Sequence, residues 1–178
     1  MAVREIIFAD DPRLRQKAKK VKAFGPELQN LAEDMLETMH DAEGVGLAGP
    51  QIGVMLRVFV AQLPPSEEDP EPEPFVLVNP EFTALSEEIE EGQEGCLSIP
   101  GWAGLVDRHA SVAVKAKDVK GRTVKLKGEG FLARIFQHEY DHLDGILYID
   151  YISDEEKLWE ITEEPESEEE ALLEEQAE

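Results

Sequence analysis

One cysteine in 178 residues excludes an intramolecular disulfide, so Cys96 is either small core filling, a reactive thiol or a metal ligand. Long apolar runs are also missing. No stretch approaches the roughly 18–20 residues needed to span a bilayer, and the opening MAVREIIFADDPRLRQKAKK has no signal-peptide core. No membrane association is expected, and the cytoplasm is the default compartment. Basic residues are scarce: 17 Lys and Arg stand against 40 Asp and Glu, a net charge of −23. Between Arg57 and Arg108 there is no base at all, while twelve acids occur. This argues against nucleic-acid binding through a broad basic face, because phosphate contacts need clustered Lys and Arg. Residues 153–178 hold thirteen of the acids and a single Lys157. This segment reads as an acidic C-terminal tail, partly helical or disordered, in which Leu158, Trp159 and Ile161 dock a short helix. The remaining residues, 1–152, are long enough for one domain with a real core.

What is present can be read in chain order. Residues 4–8 suggest a short strand, and Asp10-Asp11-Pro12 a cap before the basic, solvated stretch Arg13–Lys22. Pro26 suits the first turn of an amphipathic helix ending near His40, with Leu28, Leu31, Met35, Leu36 and Met39 at helical spacing. His40 has no obvious partner. Gly44–Gly53 carries four glycines and a proline and reads as a loop where a ligand or another backbone comes close. It runs into a strand at 56–62 and so lacks the strand–turn–helix setting of a dinucleotide fingerprint. After a Pro- and acid-rich loop come strands at 75–79 and 81–90. A segment bent at both ends follows at 94–101, then a hairpin of 112–117 with 123–127. A helix at 131–143 and a short strand at 146–149 complete the pattern.

The helix at 131–143 contains His138-Glu139-Tyr140-Asp141-His142. Four-residue spacing on a helix sets the two imidazoles on one side, roughly 5–6 Å apart at Cβ, a grip suited to one metal ion. At 3.6 residues per turn, Phe131, Leu132, Ile135, Phe136, Glu139, His142 and Leu143 share one face. His138 falls at its edge, and Gln137, Tyr140 and Asp141 fall opposite. A carboxylate among apolar residues is costly unless it is paired or metal-bound, and Glu139 stands where a general base for an activated water is wanted. Two histidines are not a complete site. A third ligand must come from elsewhere; the bland alternative is a pair of core histidines with an incidental Glu, and the spacing favours the metal site over it.

Three separated stretches, Gly44–Gln51, Glu94–Ser98 and Gln137–Gly145, together resemble the signature motifs of the peptide deformylase family in order and spacing, over about residues 1–152. The resemblance implies an α+β fold in which small mixed or antiparallel sheets wrap a central metal-binding helix. It implies a metal-dependent hydrolase that removes the N-formyl group from the formylmethionine of newly made proteins. Carried onto this chain, Cys96, His138 and His142 become metal ligands with an open fourth position for water, and Glu139 the general base and acid. Gln51 and the backbone N–H of Leu97 become donors to the developing oxyanion. The family's usual native metal is Fe²⁺, with Zn²⁺ or Ni²⁺ as replacements on handling; the donor set by itself suggests zinc.

The substrate is expected to pair as an extended strand with the Gly44–Gly46 backbone, with Val45, Phe131 and Ile135 forming the methionine pocket. The expected partners are N-formylmethionyl nascent chains at the ribosome, the expected state is a monomer, and direct DNA binding is not expected. One departure from the family pattern is Ala48-Gly49, where two alanines are usual, and a slightly more flexible loop is expected there. Another is the acidic tail, since phosphate-rich RNA would repel Glu163–Glu178. Two rival readings remain. A metallopeptidase of the same helix motif usually takes a third ligand downstream, and no His follows His142. A structural metal site would need four protein ligands.

Overall fold

The computed structural model describes residues 2–161. The helix predicted from Pro26 forms as α1 (Pro26–Asp41), and the motif helix as α2 (Gly130–Leu143). Among the described residues eight strands accompany them: β1 (Gly46–Ala48), β2 (Val58–Ala61), β3 (Phe75–Leu85), β4 (Ile89–Cys96), β5 (Ile99–His109), β6 (Ser111–Lys117), β7 (Thr123–Glu129) and β8 (Leu158–Glu160). They make a five-stranded sheet in the order β1-β2-β3-β6-β7 and a three-stranded sheet β4-β5-β8, antiparallel at every strand pair. The fold is α+β, as the sequence implies, with antiparallel rather than mixed sheets.

Alternation along β2 shows why the large sheet lies between the two helices. Val58 and Val60 join Leu28, Met35 and Met39 of α1, while Phe59 and Ala61 join Ile135, Phe136 and Leu143 of α2. Successive side chains point to opposite faces, so a strand buried on both sides must be apolar throughout, and this one is. Phe136 anchors the α2 side, with ring centroids 5.9 Å from Phe59 and 5.5 Å from Phe75. Among the described residues no helix is long and apolar enough to cross a membrane.

Several local expectations are corrected. Residues 4–8 are extended but form no strand. Their N–H groups serve other partners: Arg4 N–H donates to Thr38 Oγ1 at 2.9 Å and Ile7 N–H to Gln51 O at 2.8 Å. Ala9 N–H donates to Ser98 O at 2.9 Å, so this segment ties together the two loops of the site. Strands 75–79 and 81–90 are instead β3 and β4, divided near 86–88, and β5 was not foreseen. The Gly44–Gly53 loop contains β1 and a 3₁₀ turn at Gly49–Ile52. Gly49 is a close approach rather than a flexible point, because a Cβ there would lie 2.8 and 2.9 Å from the carbonyl oxygens of Val54 and Leu56. Residues 148–151 form a 3₁₀ turn in place of a strand, and the helix foreseen around Leu158–Ile161 is strand β8. His40 does have a partner, Gln62, with Nε2 and Oε1 2.5 Å apart. The acidic stretch Glu163–Glu178 lies outside the described residues.

Candidate metal centre and substrate cleft

Helix α2 is buried almost all round, beyond the stripe its apolar spacing suggests. Arg134, Gln137 and His138 are buried together with Glu139 and His142, whereas Phe131, placed on the inward face by periodicity, is 47% exposed. Surrounding the helix on several sides are the large sheet, the Gly49–Ile52 turn and β5, and Tyr148 of the 148–151 turn stacks on His138 with ring centroids 6.0 Å apart. Polar residues on its flanks therefore need internal partners. Gln137 finds them in the backbone of His109, donating to its carbonyl at 2.9 Å and accepting from its N–H at 3.1 Å.

The β4–β5 turn brings Cys96 against α2. Cys96 Sγ lies 3.3 Å from His142 Nε2, which is 3.3 Å from His138 Nε2, and the three donor atoms fall within 4.8 Å of one another. Ligands at 2.0–2.1 Å (nitrogen) and 2.3 Å (sulfur) from one tetrahedral ion would be separated by about 3.4 Å for N···N and about 3.6 Å for N···S. The observed spacings fit that arrangement. No other His, Cys and carboxylate cluster of this kind occurs among the described residues.

Behind His138 lies a set of charges the sequence reading missed. His138 Nδ1 is 2.8 Å from Glu94 Oε2, which leaves Nε2 facing the centre. Glu94 also receives a bidentate pair from Arg108 at 2.7 and 3.0 Å and a bond from Arg134 at 3.0 Å. Arg108 reaches on to Asp141 at 2.6 Å, and Arg134 is further fixed by the carbonyls of Glu90 and Val106, both at 2.7 Å. Two guanidiniums thus face two carboxylates, a neutral set in which each charge is paired. A carboxylate behind a ligating histidine fixes its orientation and its tautomer. Burial raises the Glu94 carboxyl, but the Arg108 and His138 hydrogen bonds outweigh that and bring it to about 2.

Charge around the donors favours a cation. Burial opposes protonation of His138, yet the hydrogen bonds its ring N–H groups donate to Cys96 and Glu94, with the charges of Cys96 and Glu139, raise it well above the usual histidine value. The same surroundings would attract a divalent ion. His142 goes the other way: burial and the neighbouring His138 hold it well below, so it is neutral with a lone pair to give. Burial lifts the Glu139 carboxyl to about 7, with His138 opposing and Glu94 and Asp141 adding to the rise. Its Oε2 is buried and has no hydrogen-bond partner in the protein. A carboxyl poised near neutrality is suited to taking and returning a proton.

Gln51 is buried in the neighbouring turn. Its Oε1 accepts from Ala48 N–H at 2.8 Å, which orients the amide, and Nε2 points to Ser98 Oγ at 3.2 Å and Cys96 Sγ at 3.5 Å. Leu97 forms the β4–β5 turn and packs on Gly44, where a Cβ would sit 2.7 Å from Leu97 Cδ1. Gly46 is equally constrained: its missing Cβ would lie directly over Glu139 Oε1, and 2.7 Å from Cδ. Gly44, Val45, Gly46, Gln51, Leu97, Phe131, Ile135, His138 and Glu139 all border one cavity of about 460 Å³ with Cys96. Every substrate-facing residue expected from the sequence is therefore at one place. Trp102, Ile161 and Arg134, which also border it, were not expected. Arg134 left a faint signal, a charge one helical turn before His138 on an otherwise apolar side.

A family profile described as Polypeptide deformylase matches residues 3–158. The chain is 50% identical over 174 residues to the peptide deformylase of Thermomicrobium roseum, covering 96% of this chain and 98% of that one. A crystal structure of a peptide deformylase from Legionella pneumophila aligns with TM-score 0.79 at 45% identity, covering 85% of this chain and 87% of the other. A Met-Ala-Ser-bound class I type b peptide deformylase from Acinetobacter baumannii aligns with TM-score 0.79 at 37% identity, covering 85% and 99% respectively.

Proposed function

The chain belongs to the polypeptide deformylase family, and with that premise we propose how its own residues remove the N-formyl group of newly synthesised proteins. The observation that supports the assignment of roles most directly is the convergence of Cys96 Sγ, His138 Nε2 and His142 Nε2 beside the buried carboxyl of Glu139, whose Oε2 has no partner in the protein. A divalent ion held by those three atoms supplies Lewis acidity, polarising the formyl carbonyl and lowering the pKa of an attacking water.

The residues of the chain do the rest. The Gly44–Gly46 backbone, at the free edge of β1, holds the peptide as an added strand, an interaction that ignores side-chain identity. Val45, Phe131 and Ile135 receive the methionine side chain. Glu139 takes the proton of the water as its oxygen bonds to the formyl carbon. Gln51 Nε2 and Leu97 N–H donate to the formyl oxygen as negative charge gathers there; to do so, Gln51 gives up its long contact with Cys96 Sγ. Glu139 then passes the proton to the peptide nitrogen as the C–N bond breaks, leaving formate and a free amine. The Met-Ala-Ser peptide carried by the Acinetobacter baumannii relative has the sequence of a product of this reaction, and the same class of peptide is proposed as ligand here.

Fe²⁺ is proposed as the native ion, with Zn²⁺ or Ni²⁺ as substitutes. The enzyme is proposed to act as a cytoplasmic monomer on nascent chains emerging at the ribosome. The catalytic unit is taken as residues 1–152, with 153–178 an appendage whose first part, β8, pairs with β5. The test is anaerobic purification with metal analysis, then formate release from formyl-Met-Ala-Ser. Formate with an intact Met-Ala bond is expected; cleavage of an internal peptide bond without formate would overturn the reading.

A further inference from the structure

The net charge of −23 conceals one face of the opposite sign. Along β6 the apolar residues Val112, Val114 and Ala116 enter the core, so the residues between them point away from it. Lys115 and Lys117 are two of these. On β7, the last strand of the five-stranded sheet, Lys125 stands directly opposite Lys115, and Lys127 opposite Ala113. Glu81 of β3 flanks Lys115 on its other side and is paired with Lys20 at 3.2 Å. The segment of Lys20 is held there by Asn79, which exchanges hydrogen bonds with the backbone of Val21 at 2.8 and 2.9 Å. The β6–β7 turn, which carries Lys120, closes on the same segment, since a Cβ on Gly121 would lie 3.2 Å from Phe24.

Like charges directly opposite across an antiparallel pair repel, and Lys115 and Lys125 bear that cost. With 40 acids against 17 bases, abundance alone would give each base a partner. Instead Lys22, Lys115, Lys120 and Lys125 are exposed and form no ion pair among the described residues. Lysines on an edge strand guard it against pairing with another chain, which accounts for β7. It does not account for Lys115 and Lys117, because β6 is an inner strand with neighbours on both sides.

The chain itself holds a matching charge. Its described part ends at Ile161, bonded to Gly101 on the other sheet. Residues 162–178 follow, with nine Glu and no Lys or Arg. A segment of that length reaches at most about 55–60 Å, while a domain of this size is about 40 Å across. Tethering presents it at millimolar effective concentration. An outside polyanion must instead approach through the field of a strongly negative molecule, which repels it.

We propose that the acidic segment 162–178 docks on the lysine face of β6 and β7, an intramolecular contact that covers these cations against other polyanions. The inference stands apart from the deformylase reading, since neither the face nor the segment enters the chemistry above.

The experiment uses the full-length, metal-loaded chain and a carbodiimide, which joins a carboxylate to a lysine amine only when the two touch. Lys17, held beside the end of α2 by the Ala18–Leu143 hydrogen bond, serves as the reference. Peptide mapping by mass spectrometry should find Glu163–Glu178 coupled to Lys115, Lys120 or Lys125 at about fivefold or more the yield at Lys17, because the tether alone serves every exposed lysine. The preference should vanish in 0.5 M NaCl, where the Debye length is about 4 Å. In a mixture of isotope-labelled and unlabelled protein, the coupled residues should come from one chain. A variant with Gln at all nine glutamates of the segment should bind an RNA of about 20 nucleotides at least about tenfold more tightly than wild type at low salt, and adding Lys115→Glu with Lys125→Glu should remove that gain. Equal yields at Lys17 and on the face, coupling only between chains, or RNA bound as tightly by wild type as by the Gln variant would overturn the proposal.

Discussion

The two sides of the cleft are built by opposite means. On the His138 side, Glu94, Arg108, Arg134 and Asp141 lock one another through short charged hydrogen bonds in a buried setting. On the other side, glycine backbone, the Leu97 turn and the exposed apolar groups Phe131 and Ile161 line the cleft. Ligands to an ion must be held within fractions of an ångström, and a closed network of paired charges resists displacement, because breaking any one pair leaves its partner uncompensated. A cleft that meets many peptide sequences gains from contacts that ignore side-chain identity. Rigidity is concentrated where chemistry needs it and relaxed where the substrate varies.

Glu139 joins the two sides, and its variants should break the arrangement most severely. Glu139→Gln is expected to lower kcat by about 10²–10⁴-fold, the usual worth of a positioned proton carrier, while bound metal measured by elemental analysis stays at the wild-type level. Glu94→Ala leaves two guanidiniums facing one carboxylate. It should destabilise the protein by about 3–5 kcal/mol in urea unfolding and weaken metal affinity by roughly 10–100-fold. Equal stability of this variant and wild type would show that the network is ornamental.

On the opposite wall the effects should be smaller. Gly46→Ala places a methyl group against the Glu139 carboxyl, and displacing that group by about 1 Å is expected to cost roughly 10²-fold in kcat, with metal content retained. Phe131→Ala removes an exposed rim contact worth about 1 kcal/mol. It should raise KM for formyl-Met-Ala-Ser by about fivefold or less and leave the urea midpoint in place. A fall in metal content for either variant would blur the division between the two walls.

The same contrast explains what could be read from the chain. Helix α2 was legible because its apolar residues repeat at 3.6 and its histidines at four, both local patterns. The site residues Cys96, Gln51 and Glu139 were identified through their motifs, and all border the cleft. The charged network was not legible. Glu94 and Arg108 are fourteen residues apart and meet only because β4 and β5 pair, a long-range fact with no periodic trace. Strand β5 was hidden by Pro100, Gly101 and Gly104, residues that argue against a strand, yet Gly104 is there so that β8 can approach. Residues 4–8 show the reverse error: an extended apolar segment whose hydrogen bonds go to α1 and to the site loops rather than to a sheet. Gly49 looked like added flexibility because its constraint, two carbonyls packed over the Cα, comes from residues five to seven positions onward.

Dependence on a divalent ion held by Cys96, His138 and His142 is the central claim, and metal removal tests it most directly. Dialysis against a chelator under anaerobic conditions should abolish formate release from formyl-Met-Ala-Ser. Titration with Fe²⁺ should restore it at one equivalent per chain, with a Cys96→Ala variant failing to recover. Full activity in chelator-treated protein shown to be metal-free, or full recovery in the Cys96 variant, would contradict the account.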